Sequence, residues 1–179
     1  MATRNVPITL LILLTLVFAS CSPWDVAEYL AGSRKLEDVD KEKYDYVKKI
    51  AVNPIFERRE KGFYVSYQSF VSFTDVYSGK IYISFLDLDS PCLDWTVYHE
   101  MGHLQDGVGP DQVRADYFPV LIMGPDRAYE CLEKKFSKFK HKVEWPYRLD
   151  VYLRLFAINN GLKSEEELEE YVKKNLLKK

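Results

Sequence analysis

Residues 97–106 read VYHEMGHLQD, and they contain His99 and His103 four positions apart, with Glu100 directly after the first. On an α-helix, residues four apart lie on one face, so the two imidazoles point the same way and can hold one metal ion. Glu100 lies about 100° further round the helix, where it can reach a metal-bound water molecule. The stretch therefore predicts a helix that carries a metal site and a carboxylate general base.

The length and charge of the chain narrow the class of protein. Its 179 residues fit one domain with a real hydrophobic core. With 25 basic and 27 acidic residues the net charge is −2, so the chain has no surplus of positive charge for nucleic acid. We therefore expect a single globular domain that does not bind nucleic acid.

Residues 1–20 have the order of a secretory signal: Arg4, the apolar run VPITLLILLTLVF, and small residues before Cys21. Phe18-Ala19-Ser20-Cys21 resembles the lipobox of bacterial lipoproteins, in which the cysteine receives lipid. These features predict an extracytoplasmic protein, anchored to a membrane through lipid on Cys21. An uncleaved N-terminal anchor and an ordinary signal peptide with a cysteine nearby are the alternatives. Residues 21–179 would then form the functional domain.

Two further cysteines, Cys92 and Cys131, follow in the chain. In an oxidising compartment they can pair and join the start of the HEMGH helix to a later helix. Two separate buried thiols are the alternative, and the sequence leaves both open.

The remaining pattern predicts helices at both ends of the chain and strands between them. Residues 24–52 have a helical pattern broken at Gly32 and Ser33, and residues 62–86 alternate as two or three antiparallel strands with a turn at Ser78-Gly79. Ser90-Pro91 should begin the HEMGH helix, which runs to about Asp106. Four more helices are expected, over 111–123 with a kink at Pro119, over 126–139, from Trp145 to about 159, and after Ser164.

HEMGH followed by ADYFPVLIM, residues 115–123, resembles the gluzincin metallopeptidases, especially the ImmA/IrrE-like peptidases. The resemblance implies an α+β, zincin-like domain with a small antiparallel-rich sheet, a helical C-terminal half and Zn²⁺ as cofactor. His99 and His103 would bind zinc, and Glu100 would be the general base for hydrolysis of a peptide or protein substrate. The strand KIYISFL, residues 80–86, has two interpretations: a sheet edge that pairs with an extended peptide, and a plain core strand.

A catalytic zinc ion needs a third protein ligand. The family's glutamate ligand falls on Gln112, whose neutral amide is a poor zinc ligand. We rank Asp116 first as the replacement, because it shares a helical face with position 112, then Asp111, then Asp106. Asp116 also occupies the family position that usually supports a histidine ligand through a hydrogen bond.

Two other functions are compatible with the sequence. A catalytically silent zincin-fold surface lipoprotein that acts as a binding module would explain Gln112, although it would not need Glu100. A structural zinc protein is a weaker alternative, since such sites are usually rich in cysteine. His141, within a lysine-rich stretch, is expected to be solvated, and Tyr98, Tyr117 and Tyr129 are candidate oxyanion donors by sequence proximity alone.

Overall fold

The computed structural model describes residues 32–140 and 145–175. Along the chain these residues form β1 (Ser33–Lys35), α1 (Leu36–Val39), α2 (Lys41–Ala51), β2 (Gly62–Ser66), β3 (Phe73–Asp75), β4 (Lys80–Ser84), α3 (Leu93–His103), α4 (Gln112–Met123), α5 (Pro125–Phe139), α6 (Trp145–Asn159) and α7 (Glu165–Asn175). The predictions for the signal peptide, for Cys21 and for His141 fall outside the described residues. Within the described ranges, no helix is both long enough and apolar enough to cross a membrane.

The four strands form one mixed sheet in the order β1-β2-β4-β3, so the chain is α+β as predicted. β4 pairs in parallel with β2 and antiparallel with β3, and β1 pairs antiparallel with β2. The turn expected at Ser78-Gly79 joins β3 to β4, and Gly79 has a φ of 72°, a conformation that glycine adopts without a steric cost.

Two predictions about this sheet are wrong. Residues 33–35 are a strand that lies inside the region predicted as helical. The pairing of β2 with β4 is parallel instead of antiparallel. Of the two interpretations of KIYISFL, the structure contains the inner strand, and β1 and β3 form the edges of the sheet. Ile81, Tyr82 and Ile83 are all buried, which means that both faces of β4 are covered, and an inner position matches that burial.

The first hydrophobic core lies between one face of the sheet, helices α1 and α2, and α3. Its fully or almost fully buried members are Leu36, Val47, Ala51, Phe56, Phe63, Val65, Ile81, Ile83, Leu93, Val97, Met101 and Leu104. Four of them, beginning with Leu93, come from α3 or the residue that follows it. The HEMGH helix is therefore fixed against the sheet by apolar contacts.

The second hydrophobic core joins α3 to the helical C-terminal half. Cys92 and Trp95, at the start of α3, pack against buried residues of α5 and α6, including Cys131, Phe136 and Val151. Since α3 contributes to both cores, it is buried on nearly all sides, and its polar residues must find partners inside the protein.

The C-terminal half is helical, as the sequence predicts. Helix α4 begins after Asp111, whose side chain caps it, and continues through Pro119 to Met123. The Ser164 hydroxyl accepts a hydrogen bond from the Glu167 amide at the start of α7, as in the predicted cap. Helix α3 begins at Leu93, two residues later than predicted, because Ser90 and Pro91 form part of a turn.

Cys92 and Cys131 form a disulfide, with their Cα atoms 5.5 Å apart. The bond joins the N-terminal end of α3 to α5. Of the two alternatives that the sequence leaves open, pairing is the one that the structure contains.

Helices α3 and α4 approach closely at Gly102, the glycine of HEMGH. A Cβ atom at this position would lie 2.8 Å from a side-chain atom of Phe118 and 3.0 Å from the backbone oxygen of Ala115. Both distances are shorter than van der Waals contact, so α4 would have to move. The glycine therefore permits the packing that brings α4 against the two histidines.

Gly102→Ala is expected to destabilise the protein by about 1–3 kcal/mol, since overpacking a rigid core displaces backbone. In an unobstructed helix the same change stabilises by roughly 1 kcal/mol, so the sign of the effect distinguishes the two situations. Urea unfolding measures it. Ser137→Ala, an exposed change in α5, is the control and should shift stability by less than about 0.5 kcal/mol; a stabilised Gly102→Ala protein would contradict the close approach.

Candidate metal centre

His99 and His103 lie on one face of α3 and are both buried, with 5% and 7% of their surfaces exposed. Their Nε2 atoms are 3.2 Å apart. The ring of His99 stacks on the indole of Trp95, with ring centres 5.1 Å apart. The two imidazoles therefore lie on one helical face, as the sequence predicts, and the Nε2 atom of each ring is the one that faces the other ring.

The other ring nitrogen of each histidine contacts an oxygen atom. Nδ1 of His99 is 2.7 Å from Oδ1 of Asp116, and Nδ1 of His103 is 2.6 Å from the carbonyl oxygen of Gly109. A carbonyl oxygen and an ionised carboxylate only accept hydrogen bonds, so each Nδ1 carries a proton. In a neutral imidazole the other nitrogen, Nε2, then carries no proton and has an available lone pair.

This arrangement suits a metal ion between the rings. Two nitrogens bound to a tetrahedral zinc ion, each about 2.0–2.1 Å from it, are roughly 3.3 Å apart, close to the observed 3.2 Å. Without a cation, two neutral rings would present lone pairs to each other at that distance. Burial lowers the pKa of His103 to about 3, which keeps that ring neutral at ordinary pH.

Asp116 supports His99 from the side opposite the Nε2 pair. Its Oδ1 accepts from His99 Nδ1 and from Arg154 Nη2 at 2.8 Å, and its Oδ2 accepts from Arg154 Nε at 2.6 Å. Burial acts to raise the pKa of Asp116, but the adjacent charge of Arg154 outweighs it and holds the pKa well below its usual range. Asp116 thus makes with His99 the supporting contact that the family resemblance implies, and its assignment as a zinc ligand stays a prediction.

Asp111 is used as a helix cap. One of its carboxylate oxygens accepts a hydrogen bond from the Arg114 amide of α4, and the other accepts from the Glu165 amide of α7. The Glu165 carboxylate in turn accepts from the Gln112 amide. The N-terminal ends of α4 and α7 are therefore joined through two carboxylates, and neither oxygen of Asp111 is without a partner.

Asp106 is exposed in the loop after α3, with 86% of its side chain accessible, and lies 3.6 Å from Arg58. It shares an open groove with His103; the groove has a volume of about 610 Å³ and is also lined by Tyr77 and the loop 107–110. In the part of the chain that the structure describes, no cluster of three or more His, Cys, Asp or Glu side chains is positioned to hold a metal ion.

Glu100 is buried beside the two histidines, with 2% of its surface exposed. The hydroxyl of Thr74, on the edge strand β3, lies 2.8 Å from Oε2 of Glu100 and 3.0 Å from its backbone oxygen. Burial raises the pKa of Glu100, against the opposing positive charges of Lys135 and Arg154. A carboxyl group with a raised pKa is suited to exchange protons nearer neutral pH.

Sequence reasoning did not identify Thr74, Trp95 or Arg154 as part of this centre. Arg154 lies 38 residues after Asp116 and Thr74 lies 26 residues before Glu100, so no local pattern connects these two residues to HEMGH. Trp95 is four positions before His99 on the same helix, and this spacing could have identified it. The candidate tyrosines have other surroundings: Tyr98 stacks near Phe56, and Lys163 lies over the ring of Tyr117. Tyr129 packs against the second core.

In comparisons with known proteins, the chain matches no protein-family model. It also matches no curated protein and no solved structure. The residues of the centre and their geometry are therefore the basis for assigning a function.

Proposed function

We propose that this chain is a zinc-dependent metallopeptidase of zincin-like fold, in which His99 and His103 bind the metal and Glu100 is the general base. The observation that carries the proposal is the pair of Nε2 atoms 3.2 Å apart, with the Nδ1 of each ring bonded to an oxygen. Such hydrogen bonds on the far nitrogen are typical of histidines that bind metal.

His99 and His103 would hold the zinc ion, which would supply Lewis acidity and so would lower the pKa of a reacting water molecule to about 7. Glu100 accepts the proton from the attacking water and then donates it to the nitrogen of the leaving amine. The Thr74 hydroxyl contacts Oε2 of Glu100, which leaves Oε1 to exchange the proton. The burial of Glu100 excludes bulk water from this exchange.

The groove beside His103 supports a peptide or protein substrate. Its open form and its volume of about 610 Å³ suit a chain segment that lies across the centre. Arg58 and Tyr77 line this groove and can supply polar contacts for a peptide backbone. The near-balanced charge of the chain continues to favour a polypeptide over a nucleic acid.

For the third ligand, the contacts favour Asp106 over the two aspartates ranked above it. The oxygens of Asp116 and Asp111 already accept hydrogen bonds. Asp106 is exposed and faces the groove that His103 lines, so its side chain can turn without breaking a buried contact. We therefore propose Asp106 as the carboxylate that completes the site.

Zinc content tests the proposal. The purified protein is expected to hold about one zinc ion per chain by elemental analysis, to lose it on dialysis against a chelator, and to regain it on reconstitution. His103→Ala should hold none, because the site loses one of its two histidine ligands. Asp106→Asn should bind zinc more weakly than Asp111→Asn, which serves as the matched control. Absence of zinc from the reconstituted parent protein would refute the proposed metal site.

The alternative is a catalytically silent binding module of the same fold. It is favoured by Gln112 in place of a glutamate and by the absence of a third ligand next to the two histidines in the described residues. Hydrolysis of unfolded protein substrates, measured with and without chelator, separates the two functions. Hydrolysis that disappears with chelator and returns with zinc supports the peptidase; zinc binding without hydrolysis supports the silent module.

We propose further that the protein acts outside the cytoplasm, anchored to a membrane through lipid on Cys21. The signal-like order of residues 1–20 and the lipobox-like FASC stretch support this location. The disulfide between Cys92 and Cys131 also supports it, because such bonds persist mainly in oxidising compartments.

A further inference from the structure

Arg154 is a buried cation next to the metal centre, with 6% of its surface exposed. It extends from α6 and holds the carboxylate of Asp116 through two hydrogen bonds, from Nε at 2.6 Å and from Nη2 at 2.8 Å. On the same helix, Asp150 lies 3.7 Å from Nη1 of Arg154. The guanidinium group also lies over the ring of Trp95, 5.9 Å from its centre.

These contacts connect Arg154 through Asp116 to His99, whose Nε2 atom would face the metal. The planar guanidinium group fixes the carboxylate plane of Asp116, and Oδ1 of that carboxylate accepts the Nδ1 proton of His99. The indole of Trp95 stacks against one face of the His99 ring. A carboxylate that turned away would free His99 to exchange its proton between the two nitrogens.

We infer that Arg154 is a positioning residue, which orients Asp116 so that His99 keeps its proton on Nδ1 and presents a bare Nε2 to the metal. The inference rests on the proposed metal site for its consequence, although the orientation of His99 can be measured without metal. His103 does not depend on Arg154, because its Nδ1 proton is bonded to the backbone of Gly109. The two histidines of one motif therefore have separate supports.

A purely structural role for Arg154 would give different results from a positioning role. Removing a buried partner of Asp116 is expected to destabilise the fold in either case. Only a positioning role changes the proton location on His99 while leaving His103 unchanged. Arg154→Lys retains the charge but loses the planar two-point contact, and therefore separates charge from orientation.

The experiment records long-range ¹H–¹⁵N spectra of histidine-labelled, metal-free protein at pH 8, which distinguish the two neutral tautomers of each ring. In the parent protein both His99 and His103 are expected as Nδ1–H tautomers. Arg154→Lys and Asp116→Asn should give His99 a mixture of tautomers, with the His103 signals unchanged as an internal control. Arg127→Met, which removes an arginine paired with Glu130 on α5, should change neither ring.

Zinc affinity is the second readout, measured by competition with a chromogenic chelator on variants shown to be folded by circular dichroism. Arg154→Lys is expected to weaken zinc binding about 10- to 100-fold, the usual effect of losing a group that supports a metal ligand. An unchanged His99 tautomer in folded Arg154→Lys and Asp116→Asn would overturn the inference. A tautomer change in a protein that binds no zinc would uphold the orientation by Arg154 and refute the proposed metal site instead.

Discussion

Glu100→Gln is expected to lower kcat/KM for peptide hydrolysis by about 10²- to 10⁴-fold and to leave the zinc content unchanged. A positioned general base typically contributes 10²- to 10⁴-fold to a reaction rate, and an amide cannot accept the proton from water. The substitution keeps the size of the side chain and can still accept the hydrogen bond from Thr74. Hydrolysis of a quenched fluorescent peptide library measures the change.

Two features make this result specific for the mechanism. Glu133 is exposed on α5, so Glu133→Gln removes the same charge away from the centre and should retain full activity. Because the Glu100 side chain is not part of the Nε2 pair, zinc should stay at the parent level in Glu100→Gln. Full hydrolysis by Glu100→Gln would show that another group takes the proton, and equal loss in both variants would point to a general charge effect.

Replacing Cys92 and Cys131 together by alanine is expected to destabilise the protein by about 4 kcal/mol, from the loss of a cross-link that closes a long loop. The two cysteines are separated by 39 positions in the chain. The bond joins the start of α3 to α5, so its removal should also loosen the attachment of α3 to the helical half. Urea unfolding at equal protein concentration gives the difference in free energy.

Urea unfolding of the two single variants and of the parent protein in reductant is measured for comparison. If the cross-link is responsible, the parent protein in reductant should lose about as much stability as the double variant. A reduced protein as stable as the oxidised one would show that the disulfide contributes nothing, and that any loss in the double variant comes from the two small cavities.

The sequence alone was sufficient to predict the features that depend on residues close together in the chain. His99, Glu100 and His103 lie on one helix because their spacing matches its 3.6-residue period, and helices α4 and α7 begin next to Asp111 and Ser164, close to the starts that the pattern predicts. The hairpin at Gly79 follows from turn chemistry in the same way. Each of these depends on residues within four positions of each other.

Features that depend on distant residues were not predictable in this way. β4 lies between β2 and β3 and is covered on both faces, and the residue pattern within the strand does not indicate which strands pair with it. Residues 33–35 have a helical pattern, but pairing with β2 determines their conformation. Arg154 enters the centre from α6, and nothing near it in sequence marks it as a partner of Asp116.

The position of α3 in two hydrophobic cores has a thermodynamic consequence. Its residues pack against the sheet on one side and against α5 and α6 on the other, so neither half of the protein can unfold without disturbing the histidines. An ion that binds only the folded protein stabilises it in proportion to the logarithm of its free concentration. Loading the centre should therefore raise the melting temperature of the sheet and of the helical half together, in one cooperative transition.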